Sequence, residues 1–136
     1  MKESCVVDCS FVAAFFLQES TGDRFENILR EGALIQVPVL FHVEILNVFL
    51  MAMRQGRICR EDARAMRMDL AALQIETVPG VSGRTEEAIF ELADRHEISC
   101  YDAAYLEAAL RTGGVLKTLD KDLLKLGNVY PWISDI

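Results

Sequence analysis

With 136 residues, 51% hydrophobic and 26% charged, the chain has the size and make-up of one globular domain, 1–136, with a real core, which argues against a second domain. No apolar run approaches the roughly 20 residues needed to span a bilayer, and Met1-Lys2-Glu3-Ser4 leads into a short strand-like run, so the expectation is a cytoplasmic protein with neither signal peptide nor membrane span. A net charge of −7 argues against nucleic-acid binding by blanket electrostatic attraction, although Arg54, Arg57, Arg60, Arg64 and Arg67 gather positive charge into one stretch that reads equally as a solvated helix face or a phosphate-facing patch.

Cys5-Val6-Val7-Asp8-Cys9 predicts a short strand, and Ser10 onward a helix with Phe11, Ala14, Phe15 and Leu17 at helical spacing. A second helix covers Gly22 to Glu31, and Ala33 to Pro38 returns as a strand. Leu40 to Arg54 is almost continuously apolar and too long for a strand, which predicts a helix buried on most sides. Glu61 to Leu73 continues as an amphipathic helix, and Ile75 to Val78 is extended. Helices follow from Gly83 or Arg84 to about His96 and from Ser99 to Arg111. Gly113-Gly114 ends the second of these, Val115 to Leu119 is a strand, a last short helix closes at Gly127, and Asn128 to Trp132 reads as an edge strand. Strands alternating with helices imply a parallel sheet covered on both faces, in which ligands sit at the carboxyl ends of the strands.

Cys5, Cys9, Cys59 and Cys100 include no C-x-x-C pair and lie in apolar segments, so reduced, mostly buried thiols are expected. His42 and His96, the only histidines, are read as structural or surface residues.

Several acids stand where strands end and helices begin. Asp8 closes the first strand and doubles as a helix cap; Ser99-x-x-Asp102 has the form of a capping box; Asp120 follows a strand and precedes a short helix that Asp122 would favour by its charge. Glu44 has no such local explanation. It stands inside an apolar helix, where an ionised carboxylate needs a cation, a hydrogen-bond network or a wet cleft, and Asn47 lies one turn on along the same face. In a doubly wound sheet all four positions can face one crevice. Four carboxylates at close range need compensating charge, and hard ions such as Mg²⁺ or Mn²⁺ prefer oxygen donors.

Val6-Val7-Asp8-Cys9-Ser10, Val43-Glu44-Ile45-Leu46-Asn47, Ser99-Cys100-Tyr101-Asp102-Ala103-Ala104-Tyr105-Leu106 and Leu116-Lys117-Thr118-Leu119-Asp120-Lys121-Asp122-Leu123, in that order and spacing, make the chain resemble the PIN-domain family, and within it the VapC-type toxins of toxin–antitoxin pairs. The resemblance implies an α/β, PIN-like three-layer fold with a short parallel sheet flanked by helices. It further implies an endoribonuclease dependent on Mg²⁺ (or Mn²⁺), with metal-binding catalytic acids at Asp8, Glu44, Asp102 and Asp120. Ser10, Asn47, Thr118 and Asp122 would form the supporting polar shell. A homodimer, an RNA substrate and a cognate basic antitoxin that blocks the pocket are implied as well, the acidic field suiting the antitoxin's tail. Lys117 departs from the family's pattern, which usually carries a small residue there, and is expected to alter access or substrate preference. Arg54 to Arg67, with Lys117, Lys121 and Lys125, would supply local positive charge for the RNA backbone.

A haloacid-dehalogenase-like phosphatase would need an acid at position 10, where Ser10 stands, and a receiver domain would need paired acids near its first strand. The remaining alternative is a PIN-like non-catalytic RNA- or protein-binding module; the complete set of acids argues against it.

Overall fold

The structure is a computed structural model that describes residues 3–136. In chain order it comprises β1 (Ser4–Val7), α1 (Cys9–Phe16), α2 (Asp23–Arg30), β2 (Leu34–Val37), α3 (Leu40–Arg54), α4 (Arg60–Ala72), β3 (Ile75–Thr77), α5 (Arg84–His96), α6 (Cys100–Thr112), β4 (Val115–Lys117), α7 (Lys121–Leu124), a 3-10 turn (Lys125–Asn128) and β5 (Ile133–Ser134). The predicted alternation is therefore observed, with most ends within two residues of their expected places.

Five parallel strands form one sheet in the order β3-β2-β1-β4-β5. The chain builds outward from β1 through β2 to β3, then returns across the sheet to lay β4 on the other side of β1. Cys5 thereby pairs with Ile35 on one edge and Val115 on the other. The reversal creates a crevice at the carboxyl ends of β1 and β4, the place where open parallel sheets hold ligands. Gly113 and Gly114 allow this return. Gly113 ends α6 in the left-handed region at φ 69°, and a Cβ on Gly114 would lie 2.7 Å from the Ser4 carbonyl oxygen, so only glycine lets β4 start beside β1.

The core is a single cluster in which Val6, Val7, Val37 and Leu116 of the sheet meet Phe11, Phe25, Phe41, Ile45 and Leu106 of the helices. Both sheet faces are needed to bury so many apolar side chains, which is why β1, the central strand, runs through Cys5, Val6 and Val7 without a polar break.

Three expectations need correction. The last strand is Ile133–Ser134 and not Asn128 to Trp132: the Val129 and Tyr130 amides turn back to the Leu126 carbonyl at 3.0 and 2.8 Å, and Pro131 has no N–H to give a ladder. The helix α3 is buried along one stripe only, Phe41, Ile45, Phe49 and Ala52, while Val43 is 69% and Leu46 48% exposed. The cysteines are all free, but Cys59 and Cys100 are exposed, because they occupy the starts of α4 and α6 where the chain turns through solvent.

Candidate metal centre

Asp8 is the deepest of the acids, 4% exposed at the carboxyl end of β1. Its amide continues the β1–β4 pairing by donating to the Lys117 carbonyl at 3.1 Å, and its carboxylate caps α1 by accepting the Phe11 N–H at 3.1 Å. Ser10 donates its hydroxyl to the Asp8 carboxylate at 2.6 Å, and the fully buried Thr118 hydroxyl donates to the other Asp8 oxygen. Burial still prevails over these bonds and, with a smaller push from the charge of Asp120, lifts the Asp8 carboxyl to about 6. The cap explains where Asp8 sits; it does not explain a carboxylate held by three donors in a place that opposes its charge.

The capping box at α6 is only half formed. The Ser99 hydroxyl accepts the Asp102 amide at 3.1 Å, but the Asp102 carboxylate makes no return bond to the Ser99 amide. The carboxylate is turned toward the other acids instead. It is lifted to about 6 by partial burial and then by the charges of Asp120, Asp8, Asp122 and Glu44.

Asp120 starts α7, and one of its oxygens accepts the amides of Asp122 and Leu123 at 2.9 and 3.2 Å. Oxygens of Asp102, Asp120 and Asp122 lie within 4.8 Å of one another. That is the spread of ligands around one hard divalent ion, about twice a metal–oxygen bond of roughly 2.0–2.6 Å. Asp122, expected in the supporting shell, stands beside the principal acids.

Glu44 is half-buried, not enclosed, on the one edge of α3 that turns toward α6. The Tyr105 phenol donates to its Oε1. Tyr105 is buried, and its hydroxyl is pushed strongly toward the protonated form by burial and then by Glu44 itself. Sequence reasoning passed over this tyrosine because its neighbours Ala103, Ala104 and Leu106 give it the look of core; its place three residues after Asp102, on the same helical face, was the available signal. Cys9 stands nearby, its thiol pushed up to about 12 by burial and the charges of Glu44 and Asp8.

Ser10 and Thr118 stand against the acids: besides bonding Asp8, Ser10 accepts the Leu119 amide at 3.0 Å and Thr118 the Asp120 amide at 2.9 Å. Asn47 is not. It is exposed one turn beyond Glu44, and its amide makes no hydrogen bond to any of these acids. The Lys117 ammonium also points elsewhere, to Ser134 Oγ at 2.9 Å and the Ile136 carbonyl oxygen. Arg57 pairs with Glu19 at 3.7 Å; among the described residues no arginine of the 54–67 stretch pairs with the acids.

The residues present fit a hard divalent cation. All the donors are oxygens, and the only basic side chain within 4.0 Å of these carboxylates, among the described residues, is the exposed Lys125 at Asp122. So much uncompensated negative charge, part of it buried, calls for a cation.

The sequence matches the PIN domain over residues 5–129. It is 30% identical over 122 residues to Ribonuclease VapC3 of Pyrobaculum aerophilum, spanning 87% of this chain and 90% of that protein. The fold is shared with the crystal structure of PAE2754 from the same organism, at TM-score 0.70 and 22% identity over 90% of this chain and 78% of that one. A toxin–antitoxin complex from Klebsiella pneumoniae aligns at TM-score 0.67 and 16% identity, covering 96% and 95% of the two chains. Matched over nearly its whole length and carrying the acids at the crevice such sheets use for ligands, the chain belongs to the PIN-domain family, in its VapC-type branch.

Proposed function

We propose that this chain is a metal-dependent endoribonuclease, the toxin of a type II toxin–antitoxin pair, acting on RNA phosphodiester bonds at Asp8, Glu44, Asp102 and Asp120 with Asp122 beside them. The observation that carries the reading is the approach of Asp102 to Asp120 and Asp122, whose oxygens lie within 4.8 Å of one another, with Asp8 and Glu44 near enough for their charges to raise Asp102 as well. The name of the Pyrobaculum aerophilum relative, a ribonuclease, supports RNA as substrate.

The cation is Mg²⁺ or Mn²⁺, which when bound supplies water activation and charge neutralisation at a scissile phosphate. The chain's own residues prepare its place. Ser10, Thr118 and the Phe11 amide fix Asp8 from three directions, so that it needs little reorganisation to accept the ion. Asp120 keeps one oxygen on the α7 amides and leaves the other free. Lys121 and Lys125, exposed on the same short helical stretch, offer positive charge for flanking phosphates.

The test is cleavage of a labelled single-stranded RNA with Mg²⁺ or Mn²⁺, with chelator, and by Asp102→Asn. Cleavage that requires metal and Asp102 is expected. RNA left intact under every metal condition, or cut equally by Asp102→Asn, overturns the reading.

The proposal includes a basic antitoxin, a homodimer and a cytoplasmic location. A groove between α1, α2 and α4 has Phe16 and Met66 on its floor and Glu19, Glu26, Asp62 and Asp69 on its rim, which suits a basic amphipathic helix of the antitoxin. The Klebsiella pneumoniae neighbour, a toxin–antitoxin complex, supports such a partner. The exposed stripe of Val39, Val43 and Leu46 is the candidate surface for a second copy. No helix among the described residues is long and apolar enough to cross a membrane.

A further inference from the structure

The contact between Tyr105 and Glu44 points to a role for a residue outside the acidic set: we infer that Tyr105 is a positioning residue, whose hydroxyl holds one oxygen of Glu44 and leaves the other to face the metal centre. The inference rests on the proposed metal-binding role of Glu44.

Glu44 comes from a helix that does little to hold it. It is half-buried, its α3 neighbours Val43 and Leu46 face solvent, and Asn47, the polar side chain one turn away, does not reach it. A glutamate in such a place has three side-chain torsions to fix. Among the described residues, the one side chain that hydrogen-bonds it is Tyr105, which is 2% exposed and lies 61 residues away in sequence.

The ring of Tyr105 is rigid, packed in the core and carried by α6, the helix that also presents Asp102 three residues earlier on the same face. One helix therefore sets Asp102 directly and Glu44 at second hand. The bond goes to Oε1 alone, so Oε2 is the oxygen that would be left to a cation. A buried phenol needs a hydrogen-bond partner, which gives the pair a structural benefit too. The experiment must separate that benefit from positioning.

Tyr105→Phe removes the hydroxyl and keeps the ring. Mn²⁺ affinity is measured by calorimetry or by electron paramagnetic resonance for the parent, Tyr105→Phe, Glu44→Gln and the double variant, with melts in chelator beside them. Tyr105→Phe should weaken Mn²⁺ binding about tenfold, the lower end of what partners of metal ligands contribute. In the Glu44→Gln background it should add less than about twofold, since neighbours acting on one ligand are not additive.

A Tyr105→Phe protein that binds Mn²⁺ like the parent, while Glu44→Gln binds weakly, overturns the positioning role and leaves Glu44 in place. Losses that add in full in the double variant overturn it as well, because Tyr105 would then act by another route. If neither change matters while Asp102→Asn abolishes binding, the proposed role of Glu44 itself fails. Should Tyr105→Phe fold poorly in chelator, Tyr105→Met fills a similar volume without a hydroxyl and gives the same comparison.

Discussion

Thr118 ties Asp8 to Asp120: its buried hydroxyl donates to the Asp8 carboxylate while its oxygen accepts the Asp120 amide at 2.9 Å. One side chain thus links the acid that ends β1 to the acid that follows β4. Thr118→Val keeps the shape and removes both bonds. It should cost about 1–3 kcal/mol in urea denaturation, the range for stripping a partner from a buried polar group, and should depress RNA cleavage. Thr118→Ser should restore most of both. Full activity in Thr118→Val would show that Asp8 is held well enough without it.

The raised carboxyls of Asp8 and Asp102 set a pH dependence. Each moves from an ordinary 3.8 to about 6, so between those values the folded chain holds more protons than the unfolded one. The stability this confers is complete below 3.8 and is lost as pH rises through about 6. In chelator, Asp102→Asn should therefore melt at or above the parent's temperature at neutral pH, and that advantage should fade as pH falls from 6 toward 4. Mn²⁺ affinity of the parent should drop over the same interval as protons compete for the oxygens. Melts that show a growing advantage for the variant in acid would contradict the sign.

Glu44→Gln removes one charge from the site and keeps an oxygen for the Tyr105 phenol. With chelator it should be at least as stable as the parent. Adding Mg²⁺ or Mn²⁺ should raise the parent's melting temperature more, because a ligand of the folded state stabilises by mass action. Strong destabilisation in chelator would mean that the charge of Glu44 serves the fold.

Lys117 offers a contrast, since the sequence pointed it at substrate and the structure ties it to Ser134 and Ile136. Lys117→Ser should leave Mn²⁺ affinity unchanged and lower stability by no more than about 1 kcal/mol, the scale of a partly exposed polar contact. A changed cleavage pattern would restore its expected place at the substrate.

Local signals carried much of this fold. Periodicity, glycine breaks and caps are properties of a few adjacent residues, so β1, α1, α6 and the Asp8 and Asp120 caps could be read directly. What could not be read locally shares a cause. Whether the apolar face of α3 is covered, and whether Asp102 closes its capping box or joins other acids, depends on residues tens of positions away. Tyr105 was hidden for the same reason: its partner is on another helix. Pro131 was a local signal, and reading it as a ladder breaker would have moved the last strand to its true place.

The return of β4 to the side of β1 also fixes the order in which the acids are brought together during synthesis. Asp8 leaves the ribosome early, yet its Thr118 partner, and Asp120 beyond it, follow 110 and 112 residues later. At about 5–20 residues per second, several seconds of synthesis separate the first acid from the last. A nascent chain tethered short of β4 holds Asp8, Glu44 and Asp102 but neither Asp120 nor Asp122, so under the proposed function the ribosome meets an incomplete cluster of acids while these two are still unmade.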